Sequence, residues 1–111
     1  MLKEKIEKYI ESKKYPIIII FNEDVDNKNI DIEMFTLPIK LRNSGLGTRI
    51  VENIIKLVDE YDYSITLQKN NNYISNNLDF WFKHMNFKPC INNKNVLKRS
   101  PKNNLYKQDF N

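Results

Sequence analysis

The sequence predicts an α/β domain built on a mixed sheet, and three observations carry that expectation. Segments with a helical repeat of apolar residues alternate with short isoleucine-rich runs, the order expected when helices cover a sheet. Two of those runs, residues 15–21 and 28–37, are separated only by the polar stretch Asn22 to Asn27, which reads as the turn of an antiparallel hairpin. The second run leads through a glycine-containing loop and an amphipathic helix to a returning strand, and a crossover of that kind makes its two strands parallel neighbours.

Taken in order, Leu2, Ile6, Tyr9 and Ile10 recur at helical spacing among Lys and Glu, so residues 2–13 read as an amphipathic helix closed by Pro16. Tyr15 to Phe21 is too short for a helix and rich in β-branched residues, and reads as a buried strand. In the second strand, Lys28 to Leu37, strict alternation places Ile30, Ile32, Met34 and Thr36 on one face. Asp31, Glu33, Phe35 and Leu37 then share the other, which puts two carboxylates side by side. Pro38 ends the ladder, having no N–H to donate. Leu46, Ile50, Val51, Ile54, Leu57, Val58 and Tyr61 form a broad apolar stripe, the strongest helix signal in the chain. Tyr63 to Gln68 is the returning strand.

Lys69 to Asn77 is polar and reads as a loop, with Asn76 or Asn77 able to cap a further helix that has Asp79 in its first turn. Leu78, Trp81, Phe82 and Met85 mark its apolar side, and Phe80, Trp81 and Phe82 are most simply core. Asn86 can take the left-handed conformation that ends a helix. Phe87 to Ile91 and Asn95 to Arg99 read as final strands around an Asn92-Asn93-Lys94 turn. No linker or repeat divides the chain, so one domain over residues 1–111 is expected. Residues 100–111, polar with Leu105, Tyr106 and Phe110 scattered among them, are expected to be a partly ordered tail.

Composition narrows the class further. In 111 residues, 41% hydrophobic and 12% aromatic content is ample for one core without staples. The single cysteine, Cys90, excludes an internal disulfide framework and fits a reducing compartment. The charged start is unlike a secretory signal, and the longest apolar run, Ile17 to Phe21, is far short of the ~20 residues that cross a bilayer. A cytoplasmic protein without a membrane partner is therefore expected. The net charge of +4 admits an acidic partner, but lysine, asparagine and isoleucine are abundant throughout and only Arg42, Arg49 and Arg99 are arginines. Compositional bias accounts for such a balance equally well.

Both glycines of the chain fall in the stretch Leu37 to Thr48. In so glycine-poor a chain they suggest a tight turn with backbone approaching another group closely. The first amides of the helix that follows have no intrahelical acceptor, so an anion is the expected ligand. A dinucleotide fingerprint would need glycine where Ile50 stands, and a phosphate-binding Walker loop would need Gly-Lys-Ser/Thr in place of Gly47-Thr48-Arg49. Arg42-Asn43-Ser44-Gly45-Leu46-Gly47 instead resembles the Arg/Gln-x-x-Gly-x-Gly/Ala loop of the GCN5-related N-acetyltransferases (GNAT). The resemblance extends over about residues 31–101. It includes the apolar strand before the loop, the helix and strand after it, and Trp81 to Phe87, which is similar to the family's Phe-Tyr-Glu-Lys-Leu-Gly-Phe segment.

That resemblance implies a minimal GNAT fold, a mixed sheet whose parallel strands splay apart, with acetyl-coenzyme A as co-substrate. It implies that backbone amides of Asn43, Ser44, Gly45, Leu46, Gly47 and Thr48 cradle the pyrophosphate with Arg42 beside it. It places Phe35, Thr36 and Leu37 along the pantetheine arm, with Ser75 and Phe82 also at the coenzyme. Glu33 and Asp31 are the candidates to relay the proton of the attacking amine; a solvated strand face is the plainer account of both. Phe82 stands where the family has a proton-donating tyrosine. Either Tyr73, Ser75 or Tyr106 replaces that donor, or solvent protonates the thiolate, or the protein holds the coenzyme without rapid turnover. The loop itself admits a plainer account, a helix start that merely turns tightly. His84 reads as an exposed helix residue, and neither it nor Cys90 has the spacing of a metal site. The expected activity is acetyl transfer to a primary amine, on a protein or another macromolecule, because the short N-terminal half suggests an open acceptor groove. A toxin-like enzyme acetylating charged tRNA and a non-catalytic coenzyme-binding or protein-interaction module are the alternatives, as monomer or homodimer.

Overall fold

The computed structural model describes residues 1–41, 44–69, 81 and 83–101. The helix α1 spans Leu2–Lys13, and Lys14 ends it in a left-handed conformation (φ 53°) whose N–H returns to the last carbonyls. Residues 15–17 complete the turn, Ile17 N–H donating to the Tyr15 carbonyl at 2.9 Å, so the strand β1 (Ile18–Asp24) begins later than expected. It also runs further, because Asn22, Glu23 and Asp24 pair with Asp31, Ile30 and Asn29 of β2 (Asn29–Thr36). Asp24 closes the hairpin turn by accepting from the N–H and Nδ2 of Asn27 at 3.1 and 2.7 Å.

A short 3₁₀ turn at Ile39–Leu41 follows Pro38. The helix α2 (Leu46–Glu60) leads to β3 (Ser64–Gln68), then to helical residues around Trp81 and His84. Asn86 has φ 62°, the left-handed helix end expected of it. The hairpin of β4 (Lys88–Pro89) and β5 (Val96–Arg99) closes the sheet, whose order is β1-β2-β3-β5-β4. Among the described strands only β2 and β3 are parallel neighbours, so the mixed sheet of the hairpin-plus-crossover reading is the one observed.

One sheet face carries Phe21, Ile30, Ile32, Phe35, Ile65, Leu67 and Leu97, and against it pack Leu2 and Ile6 of α1 and Ile50, Val51, Ile54 and Val58 of α2. Removing one such side chain from water contributes roughly 1.5–3 kcal/mol. The helices meet where Asn53 Nδ2 donates to the Tyr9 hydroxyl at 2.9 Å. Arg99 of β5 crosses to α2 and grips Asp59 with both terminal nitrogens, at 2.8 and 3.0 Å. Glu23 of β1 accepts from the Lys3 N–H at 3.1 Å and from the Tyr63 hydroxyl at 2.7 Å. It thereby satisfies an amide at the start of α1 that no side chain of α1's own N-cap reaches. Among the described residues no helix is long and apolar enough to cross a membrane.

Candidate functional site

The site is built around an irregularity in β2. Ile20 lies opposite Met34 and Phe21 opposite Ile32, so Glu33 is an extra residue, a bulge with no counterpart on β1. The bulge slips the alternation. Ile30 and Ile32 face the core, but so do Phe35 and Leu37, while Met34 and Thr36 move to the outer face opposite Ile20 and Ile18. The expected division of β2 into two strict faces therefore fails beyond Ile32. An added residue turns every later side chain over, and burial of Phe35 is the gain that holds it there. Phe35 and Leu37, at 0% and 3% exposure, give their side chains to the core, so those side chains do not face a ligand.

The two carboxylates stay on the outer side. Asp31 accepts from the Thr66 hydroxyl at 2.7 Å, within a cross-strand ladder in which Asn29 Nδ2 donates to Thr66 and Ser64 donates to Asn29. Glu33 is exposed and accepts from Asn22 Nδ2 at 2.7 Å. Thr66 and Asn22 thus hold the two carboxylates, contacts that sequence reading missed because the partners lie 35 and 11 residues apart in the chain.

Next to the bulge the parallel strands part. Pairing of β2 with β3 runs from Asn29↔Ser64 to Ile32↔Leu67 and stops there, although β2 continues to Thr36 beside β1. The chain leaving β3 stays instead with the far strand, Lys69 N–H donating to the Asn95 carbonyl at 2.6 Å. A wedge therefore opens at the C-terminal ends of β2 and β3. Below it, in the core, Trp81 stands edge-on to Phe35 with ring centroids 5.3 Å apart and leans on Phe87 at 5.6 Å.

The α2 helix starts at the same end of the sheet, because the crossover leaves β2 there. Leu46, Gly47 and Thr48 form its first turn, within the stretch that reads as loop. Gly45, at φ 86°, is its N-cap and has no side chain with which to cap it. Ser44 Oγ accepts the Leu46 N–H at 3.3 Å and donates to the Leu41 carbonyl. Helix geometry leaves the Gly47 and Thr48 amides without intrahelical acceptors. At Gly45 an added Cβ meets nothing within 4 Å, so the glycine serves its backbone angle and the space before it is open. Gly47 is buried in the helix and Thr48 half-buried.

Arg42, Asn43, Tyr73, Ser75, Phe82 and Tyr106 lie outside the described residues, as do Asn76, Asn77, Leu78, Asp79, Phe80 and the tail from residue 102. Of the expected site, Asp31 and Glu33 lie on the outer side of β2, and Phe35, Thr36 and Leu37 follow at the strand end from which the chain leads to the turn Ser44 to Thr48. Among the described residues no His, Cys, Asp and Glu cluster could hold a metal, and His84 is exposed. A separate open groove of about 560 Å³ lies between α1 and α2, lined by Lys5, Lys8, Tyr9, Asn53 and Leu57. It begins about two helical turns beyond the α2 N-terminus and is not part of the wedge.

No protein-family model matches the sequence, and no curated protein matches it. Solved structures do match in fold. Ard1 from Thermoplasma volcanium is 16% identical over 77% of this chain and 62% of its own, with a TM-score of 0.51. A mutant of the AtaT toxin, bound to the C-terminus of the antitoxin AtaR and acetyl-CoA, is 17% identical over 83% of this chain and 61% of its own, with a TM-score of 0.52. The GNAT-family N-acetyltransferase YhbS from Escherichia coli, in complex with CoA, is 9% identical over 89% of this chain and 67% of its own, with a TM-score of 0.55. The chain thus spans about three fifths of the length of the first two. In order of elements, mixed sheet, parted parallel strands and loop-to-helix turn, this chain has the fold of the GCN5-related N-acetyltransferases.

Proposed function

We propose that this chain binds acetyl-coenzyme A and transfers its acetyl group to a primary amine on a protein or another macromolecule, by direct attack in a ternary complex. One observation carries the reading: the first turn of α2, whose Gly47 and Thr48 amides have no intrahelical acceptor, lies at the sheet end where β2 parts from β3. Those amides and the open space at Gly45 suit a phosphate. Solved relatives in fold that hold CoA or acetyl-CoA support the same ligand.

When bound, the coenzyme supplies an activated acyl group as a thioester. The amides of Gly47 and Thr48 would hold its phosphates, with the Arg42 charge that the resemblance implies as the flanking group. A backbone N–H in the bulged end of β2 donates to the carbonyl oxygen as negative charge builds there. A lysine-type amine costs roughly 4–5 kcal/mol to neutralise at pH 7. Glu33, exposed and steadied by Asn22, takes that proton directly or through water. Asp31, held by Thr66, adds a negative field that draws the incoming ammonium. The departing thiolate takes its proton from solvent or from Tyr73 or Ser75, since Phe82 has none to give.

Thr48→Glu tests the reading. A carboxylate at this third helical position complements the helix dipole and leaves Tm unchanged or higher, yet it occupies and repels the phosphate site. Calorimetry with acetyl-coenzyme A is expected to show binding by the parent chain and at least about tenfold weaker binding by the variant. Equal binding by both chains, or none by the parent, overturns the proposal. The non-catalytic module is favoured by Phe82 alone. It predicts tight coenzyme binding with no transfer of labelled acetyl groups in cell extract, before or after Phe82→Tyr.

A further inference from the structure

The open groove between α1 and α2 has no part in the proposed chemistry, and its two walls repeat one pattern. Lys5, Lys8, Tyr9 and Ser12 line it from α1 at i, i+3, i+4 and i+7, and Asn53, Lys56 and Leu57 line it from α2 at i, i+3 and i+4. Each wall is therefore one helical stripe, and two such stripes side by side form the furrow into which a third helix packs. The floor is fixed in advance. Asn53 Nδ2 donates to the Tyr9 hydroxyl at 2.9 Å, and the Tyr9 ring stands edge-on to Tyr15 with centroids 5.9 Å apart. We propose that this groove docks an acidic amphipathic helix of a partner protein, which lays aliphatic side chains on Tyr9 and Leu57 and sets carboxylates against Lys5, Lys8 and Lys56.

Charge selects that occupant. Lysines line the groove on both walls, and no carboxylate lines it. Lys8 and Lys56 are exposed, and neither forms an ion pair with a described residue. Lys5 Nζ lies 5.4 Å from the centre of the Tyr61 ring, and hydrogen bonding to Tyr61 holds its pKa above the ordinary lysine value, so it stays a cation. Arg49, one turn before Asn53, brings its positive field to Tyr9 as well. Glu52 and Glu60 stand four residues either side of Lys56 but outside the lining. A net charge of +4 sets two copies of this chain against each other and draws an acidic partner. A single-stranded nucleic acid would want free aromatic faces for stacking, whereas Tyr9 is tied down at its hydroxyl and its ring. From Lys5 to Ser12 the α1 wall rises about 10 Å, so about two turns of the partner helix fill it. A contact that small dissociates in the micromolar range.

Titration of the isotope-labelled full chain with a synthetic helical peptide tests the proposal, the peptide carrying leucines at i, i+3, i+4 and i+7 and glutamates on both flanks. Saturable NMR shifts are expected, centred on Lys8, Tyr9, Asn53 and Leu57. The double variant Lys8→Glu, Lys56→Glu is expected to bind this peptide at least about tenfold more weakly. It is expected to bind instead a second peptide with lysines in place of the glutamates, a gain that an unfolded variant could not show. Absence of shifts, shifts centred elsewhere, or equal affinity of the parent chain for both peptides overturns the proposal. So does a single-stranded oligothymidylate that displaces the acidic peptide and binds more tightly, since the groove is then a track for phosphates.

Discussion

Between Ile32 and Met34 the strand carries one residue more than its antiparallel partner can match, and that residue is an acid. A bulge re-aims its side chain, so Glu33 stands exposed at the mouth of the wedge with Asn22 fixing one oxygen. If Glu33 relays the amine's proton, Glu33→Gln lowers kcat by about 10²- to 10⁴-fold without altering the dissociation constant of acetyl-coenzyme A. Steady-state kinetics with labelled co-substrate, paired with calorimetry, check the split. Asp31→Asn, which keeps a group for the Thr66 hydroxyl to donate to, is expected to have a smaller effect on kcat and mainly to raise the acceptor's KM. Elsewhere a single residue reports on stability. The hydrogen bond to Glu23 pushes Tyr63 up to about 12, with burial and the Glu23 charge adding to the shift. The folded state therefore favours the neutral phenol. Its contribution is intact below the ordinary tyrosine value of about 10 and is lost as pH rises from there toward about 12. Ultraviolet titration is expected to find a late phenol for Tyr63, which Glu23→Gln returns toward the ordinary range.

At the scale of elements, α2 ties the site to the sheet at both ends. Its start depends on the left-handed Gly45, where no neighbour crowds a Cβ. Gly45→Val therefore meets only backbone strain, of roughly 1–2 kcal/mol, while Gly45→Asn loses less. Its far end is held by Arg99, which is 5% exposed and whose buried Nε has no hydrogen-bond partner among the described residues. Asp59→Ala strands that cation, and urea denaturation is expected to show a loss of about 3–5 kcal/mol; Arg99→Met together with Asp59→Leu costs much less. The helices, the hairpin and the crossover were legible because each leaves a period, 3.6 for α1 and α2 and 2 for the strands. The slip at Glu33 was hidden because Met34 is also apolar, so both phases of the strand looked equally hydrophobic. The start of α2 was misplaced for a similar reason: Gly47 reads as loop, yet it lies buried in the first helical turn. The pairing of Asp31 with Thr66 joins residues 35 apart, and local pattern carries no trace of it.

Across the whole molecule, the described helices share one sheet face, and the opposite face carries the polar ladder of Asn29, Asp31, Ser64 and Thr66. The central strands β2 and β3 are paired on both sides over Asn29–Ile32, and β1 and β4 are edges. Hydrogen exchange should therefore be slowest at Ile30, Ile32, Ile65 and Leu67, where opening requires global unfolding, and fast in β4, which is only Lys88–Pro89. The wedge divides these two regimes. A coenzyme lodged there touches the end of β2 and the first turn of α2 but not the centre of the sheet. Added acetyl-coenzyme A is thus expected to slow exchange at Thr36, Gly47 and Thr48 well beyond the general rise in protection that binding gives the whole fold. Mass-spectrometric or NMR-detected exchange, with and without the coenzyme, reads both effects at once. Protection that rises uniformly, or that appears instead between α1 and α2 around Asn53 and Lys56, would place the ligand in the open inter-helix groove and remove the wedge from the chemistry.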